Sequence, residues 1–311
     1  MNKSVTKWFL PLALVLVIAL AFAGCGAGTP STTNPATTAP ATTAPALTGS
    51  FKIIGSNTVT PLSSIWAEDF MKANRKVSIA VSGPGSGVGI ASLIDGTTDI
   101  CQASRLITAK ETDTAKARGV TPYEIKVATD ALSVIVNPAN PVSELTIAQL
   151  SAIYTNKITN WKEVGGNDAA IVVMARDTNS GTHVFFKEHV IQMDGLPTRD
   201  TKLEYGNKVM LLPSTEEGVT QVASNPNAIF YAGLGYVNNT IKTIAVKKTA
   251  GDPAVKPSVA TALDNTYPVS RPLLYYTNGA PTGVIKAYID YCLSAAGQKV
   301  VLDSGFVPLA K

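Results

Sequence analysis

The sequence predicts an α/β fold. Three observations carry that reading. After Ser50, short β-rich apolar runs alternate with amphipathic segments. The joints between them are turns of Gly, Ser, Thr and Asn that pass from a strand into a helix. Finally, 311 residues at 45% hydrophobic supply core for one large domain or two ordinary lobes. Only 15% of residues are charged, below the roughly 25% of a soluble domain, so a non-globular segment is expected at one end.

That segment is the N-terminus. Lys3 and Lys7 precede an apolar run from Trp8 to Ala23 that ends in small residues, which predicts a signal peptide over 1–24. The run is shorter than the roughly 20 residues that a membrane helix needs. Residues 25–49 are almost wholly Thr, Ala, Pro, Gly and Ser, a composition that predicts a disordered, extended tether.

From there the elements follow in order. Strands are predicted at 51–54, 77–82, 125–136, 171–175, 228–231 and 273–276, each a β-branched or aromatic run bounded by turn residues. Helices are predicted at 61–73, 87–95, 147–154, 182–189, 215–224 and 283–294. Pro61 suits the first turn of its helix. His183 is expected on a helix surface. Residues 144–158 and 242–268 show no assignable chemistry and are expected to be surface structure.

The net charge of +4, with no long Lys/Arg block, leaves no footprint for nucleic acid. Cys25, Cys101 and Cys292 form no CxxC pattern, and His183 and His189 miss the zinc-hydrolase spacings, so neither a metal nor a cofactor is expected. In an oxidising compartment Cys101 and Cys292 either pair or remain buried thiols.

A strand, a small polar turn and a helix recur three times. The turns are Gly55-Ser56-Asn57-Thr58, Ser82-Gly83-Pro84-Gly85-Ser86-Gly87-Val88-Gly89 and Arg176-Asp177-Thr178-Asn179-Ser180-Gly181-Thr182. Each gathers free backbone N–H groups, hydroxyls and the positive end of a helix dipole. Arg176, four residues before Ser180, can grip an oxyanion through two parallel hydrogen bonds. GxGxxG, GxxxxGK[ST] and GxSxG are not satisfied at the glycine loop, which removes dinucleotide, P-loop and nucleophile-elbow readings.

Together with Asp99-Ile100-Cys101-Gln102-Ala103-Ser104-Arg105, Leu150 to Trp161 and Ser270 to Asn278, these segments resemble the phosphate-binding lipoproteins of bacterial ABC transporters. The likeness runs from about residue 51 to the C-terminus, and Arg-x-x-x-Ser-Gly-Thr is its most specific part. It implies a two-lobed periplasmic-binding-protein-like fold of type II, with residues 50–132 and 268–311 as lobe 1, 133–267 as lobe 2, and two hinge strands. It implies no enzymatic activity, a monomer, and delivery of inorganic phosphate to ABC permease subunits. Ser56, Asn57, Thr58, Ser86, Ser104 and Arg105 would bind from the first lobe, and Arg176, Ser180, Gly181 and Thr182 from the second. Leu20 to Cys25 resembles a lipobox with Phe22 at the usual Leu position, which implies lipidation at Cys25 and an extracytoplasmic, membrane-anchored protein.

One departure concerns selectivity. Well-known members of the family carry an aspartate after the strand-end serine that accepts the proton of hydrogen phosphate, whereas here, as in some relatives, Ser104 is followed by an arginine, Arg105. Asp99 or Asp177 could supply the acceptor, or Arg105 could strengthen the site for anions generally, and Asp177 could instead orient Arg176. Receptors for sulfate, tungstate, molybdate or a phosphorylated small molecule remain alternatives, as do a serine hydrolase and a signalling protein without ligand.

Overall fold

The computed structural model describes residues 47–309. The expected signal peptide, most of the tether and Cys25 lie outside the described residues. None of the described helices is long and apolar enough to cross a membrane.

The chain opens with β1 (Thr48–Gly55), α1 (Thr60–Ala73), β2 (Lys76–Ser82), α2 (Ser86–Ile94), β3 (Ile100–Ala103), α3 (Ala109–Ala117) and β4 (Pro122–Ala131). It continues through β5 (Ser133–Val136), β6 (Glu144–Thr146), α4 (Ile147–Tyr154), β7 (Val172–Arg176), α5 (Gly181–Phe186), β8 (Met210–Leu212), α6 (Thr215–Ser224) and β9 (Ala228–Ala232). The last elements are β10 (Lys242–Thr243), β11 (Ala245–Lys247), α7 (Val259–Leu263), β12 (Ser270–Asn278), α8 (Gly283–Leu293) and α9 (Ala295–Asp303).

Two five-stranded mixed sheets result, ordered β2-β1-β3-β12-β4 and β10-β5-β9-β7-β8. In the first, β1, β2 and β3 run parallel while β12 is antiparallel to both β3 and β4. In the second, β7 is parallel to β8 and β9. The α/β reading therefore holds, with two sheets flanked by helices.

The chain passes from the first sheet to the second at Leu132 and returns before Ser270. At this crossing the Leu132 N–H donates to the Val269 carbonyl at 2.9 Å, and the Tyr267 hydroxyl donates to the Leu132 carbonyl at 2.8 Å. The apolar run 125–136 therefore does not form one strand. It breaks at Leu132, because the residues on either side pair in different sheets.

Each sheet has its own core. Trp66, Phe70, Tyr275 and Tyr288 pack under the first, and the Trp66 indole N–H donates to the Gly297 carbonyl at 2.9 Å. Under the second, Phe186 stacks on Tyr231 and Tyr154 packs against both at a tilt. Trp66→Ala should cost about 3–5 kcal/mol, the range for emptying a large aromatic site. Chemical denaturation is the measurement.

Residues 144–158 are not mere surface, because Ile147, Leu150, Ile153 and Tyr154 of α4 lie inside the second core. The β3, α3 and α9 segments were not foreseen. Four-residue β3 is buried at every position and offers no alternation to read, and α3 has a weak apolar face but a complete capping box between Thr108 and Glu111. Cys101 and Cys292 are free thiols in different core clusters, so of the alternatives left open the buried thiols hold. Burial pushes both thiols up in pKa.

Candidate anion-binding site

In parallel strands the carboxyl ends and the following helix starts gather at one edge of a sheet, where open α/β sheets take their ligands. The ends of β1, β3 and β7 do so here, and the turns after them face one another.

On the first side, Ser56 follows β1, Ser104 follows β3 and Ser86 opens α2. The Ser56 hydroxyl donates to Ser104 Oγ at 2.9 Å, the Ser104 N–H donates to Ser86 Oγ at 3.1 Å, and the Ser86 and Ser104 hydroxyls lie 3.4 Å apart. All are buried. With one bond used between Ser56 and Ser104 and at most one between Ser104 and Ser86, at least one hydroxyl hydrogen of this cluster remains to be donated.

The glycine loop turns at Gly85 with φ +122°, a conformation that suits only glycine, and no side chain caps α2. Its Gly87 N–H donates to the Asn179 carbonyl on the opposite side at 3.1 Å.

The facing turn closes tightly onto these serines. A Cβ on Gly181 would lie 2.2 Å from Ser86 Oγ and 2.8 Å from Ser104 Oγ, so only hydrogen fits there. Thr58 and Thr182 meet across the cleft with hydroxyls 3.0 Å apart. Ser180 caps α5 by accepting from the Thr182 N–H at 3.2 Å. Ser56, Thr58, Ser86, Ser104, Gly181 and Thr182 are thus brought together.

The arginines behave differently. Arg176, 1% exposed, has every donor engaged by protein. Its Nε donates to the Leu212 carbonyl, Nη1 to Asn57 Oδ1 (3.1 Å) and Thr215 Oγ1 (2.9 Å), and Nη2 to the Pro213 carbonyl (2.9 Å) and Asp177 Oδ2 (3.3 Å). Arg176 therefore ties the wall at 212–215 to Asn57 of the other side, and Asn57 Oδ1 also accepts from the Thr215 N–H.

Arg105 is clamped on Glu111, with Nη1 to Oε2 at 2.8 Å and Nη2 to Oε1 at 2.7 Å. Burial opposes ionisation of both, but the mutual hydrogen bonds outweigh it, lowering the Glu111 carboxyl and raising the Arg105 guanidinium. Arg105 lines a groove with Leu106, Val184 and Glu188.

The acceptor left open by Arg105 is not Asp99, which sits at the opposite end of β3 and accepts from the Lys52 N–H. Asp177 pairs with Arg176, in line with an orienting role. His183 is buried rather than on a surface. Its Nδ1 donates to the Arg176 carbonyl at 2.7 Å, its ring stacks on Tyr205, and burial lowers its pKa.

The reading of the turns missed three participants, Thr215, Asp130 and Arg271. Arg271 and Asp130 form a buried pair, with Nε to Oδ2 at 3.0 Å and Nη2 to Oδ2 at 2.8 Å. Their signal was present: an aspartate within an apolar strand, and an arginine in a stretch already singled out.

This arrangement suits a small tetrahedral oxyanion. Hydroxyls and helix starts converge from two sides, and closure strengthens each hydrogen bond by excluding water. Among the described residues no cluster of His, Cys, Asp and Glu could hold a metal.

Comparison with known proteins agrees with the geometry. Residues 36–296 match the model of a PBP superfamily domain. The chain is 33% identical to Protein SphX of Synechococcus elongatus, over 82% of this chain and 76% of that protein. It is 30% identical to the phosphate-binding protein PstS of Pseudomonas aeruginosa, over 85% of this chain and 84% of that one. Among solved structures, a chain from Clostridium perfringens described as a phosphate ABC transporter substrate-binding protein with bound phosphate superposes with a TM-score of 0.74 at 33% identity, covering 84% of this chain and 100% of that one. An ABC-type phosphate transport receptor from Vibrio cholerae gives a TM-score of 0.67 at 29% identity, over 83% of this chain and 100% of that one. With two flanked sheets, a cleft between their carboxyl edges and this match over most of its length, the chain belongs to the PBP superfamily, in the family of phosphate-binding substrate-binding proteins of ABC transporters.

Proposed function

We propose that this protein is an extracytoplasmic receptor that binds inorganic phosphate between its two lobes and hands it to an ABC permease, without covalent chemistry. The observation that carries the reading is the convergence of the Ser56, Ser86 and Ser104 hydroxyls on Gly181 and Thr182 of the facing turn. The names of the relatives at 30–33% identity support phosphate over the other oxyanions. Among the described residues His183 bonds to the Arg176 carbonyl and the serine hydroxyls bond to one another, which supports a binding role over that of a serine nucleophile.

Lobe 1 spans 50–132 and 268–311 and lobe 2 spans 133–267 in this reading, with Leu132 and Val269 at the hinge. The lipobox-like Leu20 to Cys25 supports a lipid anchor at Cys25, with residues 25–49 as the tether and a monomer as the working unit.

Calorimetric titration tests the reading. Protein unfolded and refolded to strip carried-over anion should bind phosphate one to one, at micromolar Kd or tighter (about −8 kcal/mol or better), and bind sulfate far more weakly. Equal affinities would make it a general oxyanion receptor, and no heat with either anion would remove the receptor reading.

A further inference from the structure

The second sheet sends one segment back onto the first. Strand β9 ends at Ala232, and the chain rejoins that sheet only at β10. Between them, Gly233–Tyr236 lies against residues of the first sheet and its turns. The Leu234 N–H donates to Asp130 Oδ1 at 2.8 Å. Gly235 is pressed onto the first core, where an added Cβ would lie 2.4 Å from the Phe306 ring and 2.7 Å from the Ser304 carbonyl oxygen. The Tyr236 ring packs against the first core and against the cluster beneath α6 as well. A ring seated on two cores holds its hydroxyl in a fixed place.

That hydroxyl donates to the Asn57 carbonyl at 2.9 Å. The bond answers a gap in the sequence. Four residues on from Asn57, where a helix would return an N–H to this carbonyl, stands Pro61, which has none. Among the described residues the Tyr236 hydroxyl is the carbonyl's one hydrogen-bond donor. Burial, with Glu216 nearby, pushes the phenol's pKa up, so the hydroxyl keeps its hydrogen.

The Asn57 carbonyl and the Thr58 N–H belong to one planar trans peptide and point in opposite directions. Fixing the first therefore fixes the second. The Thr58 N–H has no acceptor among the described residues. It sits in the turn where the Thr58 hydroxyl meets that of Thr182 at 3.0 Å and Asn57 Oδ1 accepts from the Thr215 N–H at 3.2 Å.

Resting on the phosphate reading above, we propose that Tyr236 is a positioning residue for phosphate: its hydroxyl takes the carbonyl that Pro61 leaves unserved and so holds the Asn57–Thr58 peptide with the Thr58 N–H turned to the ligand. Tyr236 itself does not touch the anion. Its effect is preorganisation, since a turn free to rotate must be ordered at the moment of binding.

The test compares the full-length wild type with Tyr236→Phe, which keeps the ring on both cores and removes only the hydroxyl. Phosphate titration, stopped-flow binding and melting with and without saturating phosphate are measured. Phosphate should weaken about 3- to 12-fold, the equivalent of one hydrogen bond. The loss should appear as faster dissociation, with association within about twofold of wild type. The ligand-free melting temperature should stay close to wild type while the phosphate-induced shift shrinks. Affinity within about twofold of wild type would overturn the proposal. So would a lower melting temperature with the phosphate-induced shift intact, or a loss carried by slower association, either of which makes the hydroxyl a structural group. Absence of phosphate binding by wild type would instead overturn the receptor reading itself.

Discussion

Gly181→Ala is expected to abolish phosphate-driven closure while leaving the two sheets intact. The added methyl would sit 2.2 Å from Ser86 Oγ and 2.8 Å from both Ser86 Cβ and Ser104 Oγ, far inside contact distance. Overpacking of this kind costs about 1–3 kcal/mol. Because the overlap exists only when the turn after β7 rests on the serines, an opened cleft escapes it and the cost falls on the closed state alone. Affinity should fall by about 5- to 150-fold, with the ligand-free melting temperature close to wild type. Titration beside small-angle scattering separates the cases: phosphate must fail to compact the variant at concentrations that compact wild type. Wild-type affinity would show that the turn can withdraw while the site still works.

Arg176→Ala should act on stability and on binding together. The guanidinium joins the Leu212 and Pro213 carbonyls and Thr215 to Asn57. Removing it strands buried acceptors, each costing about 1–3 kcal/mol, so a loss of about 2–4 kcal/mol by denaturant unfolding is expected. Asn57 then loses its grip on the opposite wall, and phosphate affinity should fall as well. Arg176→Lys, which supplies charge without the planar fork, should recover little of either. A variant that kept wild-type stability but lost phosphate would return Arg176 to direct contact with the ligand, as the sequence alone suggests.

That contrast shows what was legible beforehand. The strand, turn and helix pattern is local, so the three turns and helices such as α4 and α6 could be read from periodicity and turn chemistry. The serines and threonines of the turns do converge, because a parallel topology brings strand ends to one edge. The use of each arginine was not legible, since it depends on neighbours far along the chain: Glu111 for Arg105, Thr215 for Arg176, and Asp130, 141 residues away, for Arg271. Likewise His183 reads as a surface residue from its helix alone, whereas in the fold it is buried with its ring stacked on Tyr205. Short buried β3 lacked any pattern to betray it.

Each of the three cleft arginines keeps a carboxylate beside it, Glu111, Asp177 or Asp130. Seen from solvent, such pairs are dipoles whose fields decay within a few ångströms, unlike a bare basic funnel that draws anions from a distance. An association rate that changes little with ionic strength is therefore expected, which stopped-flow binding at several salt concentrations checks. Discrimination is then expected at contact range, where water has left and hydrogen bonds are strongest. A receptor built this way samples passing anions without accumulating them, which suits a dilute solute among abundant competitors of the same charge.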